Sequence, residues 1–370
     1  MKLRIATYNV NNLFSRPRVL ELPGMSRTGK TVLDDVAELA ELLERASYEG
    51  RPGKRIVRLL ERYGIGRIAP EDAWFQVQQV RGKLFSVGKR GKLHLTAKGR
   101  AAWVGWIELT RTRVAGAAVE NTARVLGAID ADIACLVEVE GRATLDRFNR
   151  DLLNGAHYPH VMAIEGNDAR GIDVGLLSRF EIRTARSHVD DTYRAGNGAE
   201  QRVFSRDCAE YELTLPDGES LWMLCNHFKS KGYGRAGDND DKRRQQARRV
   251  RDLVSRFDLA RDRVVVAGDL NDTPDSDPLR DLVETPRLHD VLDRLPPGEP
   301  RWTYRDGRGQ IDYLLVSEPL WERIENVGIE RRGIWSRNGF GGAFPCFAEV
   351  TDLRTQASDH AAVWVDVRRQ

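Results

Sequence analysis

Eight polar residues of this chain lie beside short apolar runs, and their types suit one kind of chemistry. They are four carboxylates, two histidines and two amides: Glu138, Asp269, Asp312, Asp359, His227, His360, Asn9 and Asn271. A set this rich in oxygen donors suits a hard divalent cation, whereas zinc would need more His or Cys ligands at short spacings. Carboxylates and imidazoles can also transfer protons. We therefore predict a Mg²⁺ centre, in which Mn²⁺ could substitute, surrounded by acid–base groups.

The elements that carry these residues must end at a common edge. Apolar runs at 133–139, 221–227 and 264–269 each carry a polar residue at or directly before their last position, as expected of buried strands. Helical spacing over 119–129 and an arginine-rich stretch at 240–256 predict helices between the strands. Many strands with few helices predict packed sheets rather than an alternating barrel. We expect each site residue at the carboxyl end of its strand, where rigid scaffolds commonly place catalytic groups.

Six short motifs occur in an order that resembles the endonuclease/exonuclease/phosphatase superfamily, in its deoxyribonuclease-like form. They are Tyr8-Asn9-Val10-Asn11, Leu136-Val137-Glu138, Asn226-His227-Phe228-Lys229-Ser230-Lys231, Gly268-Asp269-Leu270-Asn271, Gln310-Ile311-Asp312-Tyr313 and Ser358-Asp359-His360. Asp and Asn are also common turn formers, so each motif is weak alone. Six in order are a specific signal. The resemblance covers residues 1–14 and 120–370, about 70% of the chain.

What the resemblance implies is a four-layered α/β sandwich, in which two packed mixed β-sheets are flanked by helices. The implied activity is metal-dependent hydrolysis of phosphodiesters by water. A phosphodiester repels an attacking hydroxide, so a cation and hydrogen-bond donors are needed to offset the charge that develops.

The resemblance also implies which residues hold the metal. Glu138 is similar to the glutamate that binds it, with Asn9 close by and Asp359 as a metal or histidine partner. Glu140 is a competitor two residues on, but the strand-end position and the Leu-Val-Glu match favour Glu138. Asn11 stands where several family members carry an aspartate as a second metal contact. Because an amide is neutral and binds Mg²⁺ more weakly, we expect a single-metal mechanism.

Five further residues would carry out the reaction. Asp269 would orient or deprotonate the attacking water, and the amide of Asn271 would contact the scissile phosphate. His360 would stabilise charge on the reacting phosphate or transfer a proton, with Asp312 orienting it. His227 corresponds to the strand-end histidine of the deoxyribonuclease-like branch.

Two basic residues are candidates for binding the substrate phosphate together with Asn271. Lys229 lies two residues after His227, and Arg243 lies on the predicted helix 240–256, as in bacterial secreted-nuclease-like members of the family. The alternative for Arg243 is a solvated helix face. Asp173 lies in a run that matches an inner strand of the family, and it could reach the site or only form a turn.

Residues 15–119 lie outside the family motifs and are predicted to form a basic α+β insertion. They carry 20 Lys and Arg against 11 Asp and Glu, although the whole chain has a net charge of only +3. Within 51–113 the balance is 15 to 4, and the aromatic residues Phe85, Trp103 and Trp106 among these charges could stack on bases. The alternative is that the insertion packs on the scaffold or mediates self-association.

This charge distribution favours a nucleic acid, DNA or RNA, as substrate and partner. The main alternative is a phosphatase or phosphodiesterase acting on a lipid head group, an inositol phosphate or a nucleotide. The P-x-W-C-D-R-type segment of the phosphoinositide branch is missing, and residues 300–304 resemble only a stretch common across the superfamily. A second alternative is a non-catalytic nucleic-acid-binding module, against which the intact motif residues argue.

The remaining sequence features concern location and redox state. No run approaches the roughly 18 apolar residues of a membrane span, and residues 1–9 have the pattern of a strand instead of a signal peptide. We therefore expect a cytoplasmic protein without membrane association. The four cysteines form no CxxC pair and are expected to be buried free thiols, not zinc ligands or disulfides.

Overall fold

The computed structural model describes residues 2–13, 27–110, 116–153, 158–168, 170–196, 198–232, 236–305, 307, 309–335 and 344–369. The chain forms two compact units, which we call unit 1 (Met1–Phe14 with Val114–Gln370) and unit 2 (Ser15–Arg113). Unit 1 resumes before the boundary expected at residue 120, because a helix that starts at Ala117 packs on its first sheet.

The elements of the described residues are mostly strands. The helices are α1 (Arg27–Leu43), α2 (Arg51–Arg62), α3 (Ala117–Ile129), α4 (Arg142–Leu152), α5 (Ala236–Val254), α6 (Arg280–Val283) and α7 (Glu318–Trp321). The strands are β1 (Lys2–Leu13), β2 (Phe75–Arg81), β3 (Phe85–Val87), β4 (Leu93–Leu95), β5 (Val104–Leu109), β6 (Ile133–Val139), β7 (His160–Ile164), β8 (Asp173–Ser178), β9 (Glu181–Arg186), β10 (Thr192–Arg194), β11 (Glu200–Arg202), β12 (Cys208–Thr214), β13 (Ser220–His227), β14 (Arg263–Asp269), β15 (Leu288–Asp290), β16 (Asp312–Ser317), β17 (Ile324–Glu330) and β18 (Ala362–Arg368).

Unit 1 contains two six-stranded mixed sheets of related design. The first has the order β17-β18-β1-β6-β8-β7, and the second has the order β15-β16-β14-β13-β12-β9. Each has one parallel pair at its centre, β1 with β6 and β13 with β14. All other neighbours within these two sheets are antiparallel.

The two sheets pack face to face, with helices on their outer faces. The core between them draws on both sheets, with Val137 and Leu176 from the first and Met223 and Val265 from the second. Helices α3 and α4 cover the outer face of the first sheet, and α5 and α6 cover that of the second. This is the four-layered α/β sandwich predicted from the resemblance, and the fold prediction is confirmed.

The polar residues collect at one edge because of strand direction. The parallel strands end there, so Glu138, His227 and Asp269 lie at the carboxyl ends of β6, β13 and β14. Strands β16 and β18 run the opposite way, and Asp312 opens β16 directly opposite Asp269. The expectation that every site residue follows its strand is therefore wrong for Asp312, Asp359 and His360. Antiparallel neighbours bring their amino ends to the edge where a parallel pair finishes.

Unit 2 has its own core under two antiparallel strand pairs, β2 with β5 and β3 with β4. Helices α1 and α2 supply Leu39 and Leu59 to this core. Phe85 and Trp103 lie in it too, and the Trp103 Nε1–H donates to the Tyr48 hydroxyl at 2.9 Å. Two of the three aromatic residues expected to stack on bases are therefore buried.

Two further observations concern membrane-spanning helices and the cysteines. Within the described part of the chain, no helix combines the length and the apolar character that a membrane span requires. All four cysteines are free, and all are buried except Cys346, which is half-buried.

Candidate active site

An open cleft of about 560 Å³ lies at the edge where the strands of both sheets meet. Six of the predicted site residues line it: Glu138, His227, Asp269, Asn271, Asp359 and His360. Asn9 and Asp312 are buried directly behind this wall and contact its residues. Tertiary folding thus brings together residues that are up to 351 positions apart along the chain.

His360 is held by a carboxylate on one side and by a backbone tether on the other. Its Nδ1 lies 3.0 and 3.2 Å from the two carboxylate oxygens of Asp312. Its backbone N–H donates to the Ser358 hydroxyl at 3.0 Å, and this hydroxyl donates to the carbonyl of Asn9 at 2.7 Å. The tether joins the segment before β18 to β1, so the imidazole has one orientation.

The charge of His360 follows from its neighbours. Burial lowers the pKa of the imidazole, but Asp312, Asp269 and Asp359 outweigh burial and raise that pKa to about 10. The ring is therefore charged at neutral pH, with its Nδ1–H on Asp312 and its Nε2–H toward the cleft. The amide nitrogen of Asn9 lies 3.4 Å from Nε2, which is then a contact between two donors rather than a hydrogen bond.

Asp269 is buried in the middle of the cleft wall and accepts three hydrogen bonds. Its Oδ1 accepts the backbone N–H of Asn271 at 2.8 Å, and its Oδ2 accepts the side-chain amides of Asn271 and Asn9, each at 3.1 Å. Burial raises the pKa of Asp269 to about 7; nearby His360 opposes this rise, and Asp312 adds to it. A carboxyl group with such a pKa can both take up and release a proton near neutral pH.

Glu138 enters the cleft through a distortion of β6. The pairing of β6 with β8 shifts between Val137 and Val139, so Glu138 is an extra residue in the ladder, with a φ of 68°. Such a bulge re-aims a side chain. Asn11 and Asn271 also have positive φ, at 50° and 54°, and both line the cleft. Strained backbone of this kind concentrates at functional sites.

His227 differs from His360 in its charge state. Its Nε2 lies 3.8 Å from Asp269 and 3.9 Å from Glu138, which is too far for a hydrogen bond. Burial, followed by the positive charges of Arg206 and His360, holds the pKa of His227 well below its usual range. The ring is neutral, so these approaches are not salt bridges, and its buried Nδ1 has no hydrogen-bond partner among the described residues.

The cleft residues fit a divalent cation on the side of Glu138 and Asp359. Glu138 is 19% exposed, and its pKa is raised mainly by burial, with Asp359 adding to the rise. The Asp359 carboxylate lies 3.8 Å from the Arg305 guanidinium, which is too far for a hydrogen bond. Two carboxylates that line the same cleft match the oxygen ligands of Mg²⁺. Asp269, Asp312 and His360 also have ligand atoms within 4.8 Å of one another, but there the Asp312 carboxylate is already hydrogen-bonded to Nδ1 of His360.

Asn9 does not present the atom that a metal ligand needs. Its Oδ1 accepts the backbone N–H of Asn11 at 3.0 Å, and its Nδ2 faces Glu138 at 3.4 Å and Asp269 at 3.1 Å. Cations bind oxygen, so the amide in this orientation holds the two carboxylates in place instead. A role of Asn9 as a metal ligand stays a prediction, since it would require the amide oxygen to face the cation.

Arg243 is not at the cleft, contrary to the sequence-based prediction. It is fully buried, and its guanidinium donates to Asp272 at 2.9 Å, to the carbonyl of Lys229 at 3.0 Å and to Asp240. Because the side chain is fully buried and each of its three nitrogens already has an acceptor, it is not placed to bind a phosphate in the cleft. The solvated-face alternative is equally wrong, because Arg243 ties α5 to the segments that follow β13 and β14.

The other predicted phosphate contacts also differ in detail. Lys229 is half-buried, and the described cleft wall includes Ser230 and Lys231 but not Lys229. Lys231 pairs with Asp272. The side-chain amide of Asn271 lines the cleft, but it donates to the carbonyl of Phe228 and to Asp269, both at 3.1 Å. In this arrangement Asn271 orients Asp269.

Sequence reasoning missed the cationic part of the wall. Arg206 and Arg170 line the cleft, and Arg206 is only 4% exposed. Asp168 lies between them, with the Arg206 Nε at 3.2 Å and two Arg170 nitrogens at 3.0 and 2.7 Å. The only local signal was an arginine two residues before the buried strand β12. Asp173 is a structural residue, since it is buried and accepts the backbone N–H of Gly166 at 2.8 Å.

Comparison with known proteins agrees with this architecture. The model of the Endonuclease/Exonuclease/phosphatase family matches residues 113–360. No curated protein matches the chain. An endonuclease/exonuclease/phosphatase family protein from Bacteroides thetaiotaomicron is similar in structure, with 12% identity, a TM-score of 0.50 and coverage of 99% of this chain and 97% of that chain.

Two further solved structures cover about two thirds of this chain. The human Nocturnin catalytic domain is 16% identical over 67% of this chain and 86% of that chain, with a TM-score of 0.47. A mannosyl-6-phosphatase from Bacteroides thetaiotaomicron is 14% identical over 68% of this chain and 90% of that chain, also with a TM-score of 0.47. At such identities a structural likeness concerns the fold alone.

Proposed function

We propose, on the premise that this chain belongs to the endonuclease/exonuclease/phosphatase family, that it is a divalent-metal-dependent phosphodiester hydrolase that cleaves DNA or RNA. One observation carries the proposal. A buried carboxyl group with a pKa of about 7 and a buried imidazole with a pKa of about 10, Asp269 and His360, face the same cleft as Glu138. A base, a cationic donor and a metal ligand are what hydrolysis of a phosphate ester requires.

In this proposal a Mg²⁺ or Mn²⁺ ion held by Glu138 and Asp359 would offset charge on a non-bridging phosphate oxygen. Asp269 takes a proton from the attacking water, while the backbone and side-chain N–H groups of Asn271 keep its carboxylate in position. His360 places positive charge beside the phosphate and can protonate the departing oxygen.

The remaining residues orient these groups and attract the substrate. Asp312 holds His360 charged through the bond to Nδ1. His227, which is neutral, can donate one ring N–H to a phosphate oxygen. Arg206 and Lys231 add positive charge on the cleft wall, which suits a polyanionic substrate. The surplus of basic residues in 51–113 supports nucleic acid over a small phosphate ester.

A substrate panel run with and without divalent metal tests the proposal. Purified protein with Mg²⁺ or Mn²⁺ should cleave plasmid DNA, single-stranded DNA or RNA, and EDTA should abolish the cleavage. Asp269→Asn or His360→Ala should lower the rate by about 10²–10⁴-fold. Asp151→Asn, which neutralises an exposed carboxylate on α4, serves as the control and should leave the rate unchanged.

Two outcomes would contradict parts of the proposal. Activity that survives EDTA would rule out the metal-centred mechanism. Hydrolysis of p-nitrophenyl phosphate, inositol phosphates or nucleotides without cleavage of any nucleic acid would remove the substrate assignment and leave phosphate-ester hydrolysis in place.

A further inference from the structure

Exposed apolar side chains concentrate on the strands of unit 2. Across the described residues six large apolar side chains are exposed, and four of them are Val80, Val87, Val104 and Trp106. Trp106 exposes 53% of its surface. Large aromatic residues in this state commonly mark binding surfaces.

Basic residues concentrate in the same part of unit 2, mostly in the segments that connect these strands. Residues 75–110 contain seven Lys and Arg and one acidic residue, Glu108, whereas residues 27–62 contain eight Lys and Arg and seven Asp and Glu. In residues 27–62, which contain α1 and α2, basic side chains pair with acidic ones, for example Arg55 with Glu38 at 2.6 Å. In the strand part, five exposed cations make no ion pair with any described residue: Arg81, Lys83, Lys89, Lys92 and Lys98.

The pairing of β2 with β5 puts one of these cations beside the exposed indole. Gln78 lies directly opposite Trp106, and Arg81 lies directly opposite Val104. Residues directly opposite in an antiparallel pair share a face, so all four belong to one surface, which we call the Trp106 face. Glu108 lies on it as well and accepts a hydrogen bond from the Gln78 side chain at 2.9 Å.

We propose that the Trp106 face binds single-stranded nucleic acid, at a surface made by unit 2 alone. Trp106 stacks on an unpaired base, Arg81 and the adjacent Lys83 contact phosphates, and Gln78 offers hydrogen bonds to base edges. A single strand fits better than a duplex, because a stacking platform needs a base whose face is accessible.

The face also differs from one that binds an anionic membrane. The carboxylate of Glu108 and the amide of Gln78 stand beside Trp106 on the same face, and both groups would have to be desolvated for the indole to enter a bilayer. This inference rests on the proposed function for the source of its ligand, since a nuclease meets single strands as substrate or product.

The binding experiment uses the full chain carrying Asp269→Asn, in EDTA, so that nothing is cleaved. A fluorescent 20-nucleotide single strand is titrated by anisotropy at several salt concentrations. Trp106→Ala should weaken binding by roughly 5- to 100-fold, the range for loss of one base stack, with little change in salt dependence. Trp106→Phe keeps an aromatic ring and should retain most of the affinity.

The contribution of positive charge is tested with a double variant, and a second double variant serves as its matched control. Arg81→Ala with Lys83→Ala should lower the slope of log affinity against log salt by about 1.4, since each single-strand phosphate contact contributes about 0.7. Lys54→Ala with Arg58→Ala removes the same charge from exposed positions of α2 and should leave the slope unchanged.

Three results would overturn the inference. The first is an affinity of Trp106→Ala for the single strand equal to that of the parent chain, and the second is equal weakening by Trp106→Ala and by the α2 double variant. The third is that Trp106→Ala loses binding to phosphatidylserine vesicles while it keeps its binding to DNA. Failure of the proposed function is a separate observation, namely a wild-type chain that hydrolyses no nucleic acid in Mg²⁺. Binding in EDTA is measured independently of that result.

Discussion

Two buried histidines in the same cleft differ in charge, and Asp312 is the carboxylate that contributes most to the difference. Burial disfavours the charged form of both rings. His360 has the Asp312 carboxylate 3.0 Å from Nδ1, whereas His227 has Arg206 nearby and no carboxylate within hydrogen-bond distance. In the proposed reaction Asp312 would therefore act through the charge it maintains on His360.

Asp312→Asn tests this relation through the pH dependence of activity. A neutral amide removes the main contribution that raises the pKa of His360, so that pKa should fall toward its ordinary value. If the reaction needs the charged ring, the alkaline limb of the kcat/KM profile should move to lower pH by about one to three units. Asp290→Asn, which changes a half-buried carboxyl group outside the described cleft wall, is the control. If the alkaline limb of the Asp312→Asn profile stays at the wild-type pH, the assignment of that limb to a His360 charged by Asp312 is contradicted.

At the level of elements, the site depends on how closely β13 and β14 approach. Gly268 has a φ of 132°, and a Cβ on it would lie 1.9 Å from the carbonyl oxygen of Asn226 on the neighbouring strand. Only glycine avoids both the strained backbone and the contact. The glycine of the Gly-Asp-Leu-Asn motif thus lets two parallel strands bring His227 and Asp269 side by side.

Gly268→Ala should therefore destabilise unit 1 by at least about 3 kcal/mol, from backbone strain and overpacking together. Gly127→Ala is the matched control, because nothing lies within 4 Å of its added Cβ in α3. That change should stabilise the protein by roughly 0.5–1 kcal/mol. Urea unfolding measures both. If Gly268→Ala has the same free energy of unfolding as the wild type, β13 and β14 can separate at little cost.

At the level of the whole molecule, a bound cation would stabilise the fold as well as assist the reaction. The cleft joins β6 of one sheet to β14 of the other, and Asn9 contacts carboxylates from both. A ligand that binds only the native state raises the free energy of unfolding by mass action, by about 2.7 kcal/mol at one hundred times its dissociation constant.

Saturating Mg²⁺ or Mn²⁺ should therefore raise the Tm by several degrees in a thermal melt. Glu138→Gln should lose most of this shift. Glu140→Gln changes the neighbouring glutamate, which accepts a hydrogen bond from Thr144 at 2.9 Å, and should keep it. If Glu140→Gln loses the Tm shift and Glu138→Gln keeps it, the metal ligand is Glu140. If the wild-type chain shows no Tm shift, this counts against a cation in this cleft.

Local patterns in the sequence determined much of the fold and the composition of the site. Strand β6 has the bounds 133–139 expected from its apolar run, and α3 differs from the expected 119–129 only at its start. Burial on both faces of a strand leaves a continuous apolar run in the sequence, so these elements are visible without a structure. Family motifs supplied the identities of Glu138, Asp269 and His360.

Only the tertiary structure decided what each polar side chain contacts. Arg243 and Arg206 are both arginines outside the six family motifs, yet one is buried among acceptors and the other lines the cleft. In unit 2, Trp103 lies in the core while Trp106, three residues later, is exposed. Exposure and hydrogen bonding depend on neighbours from distant parts of the chain. Residue spacing predicts that a side chain lies on a strand or helix, but not which distant residues surround it.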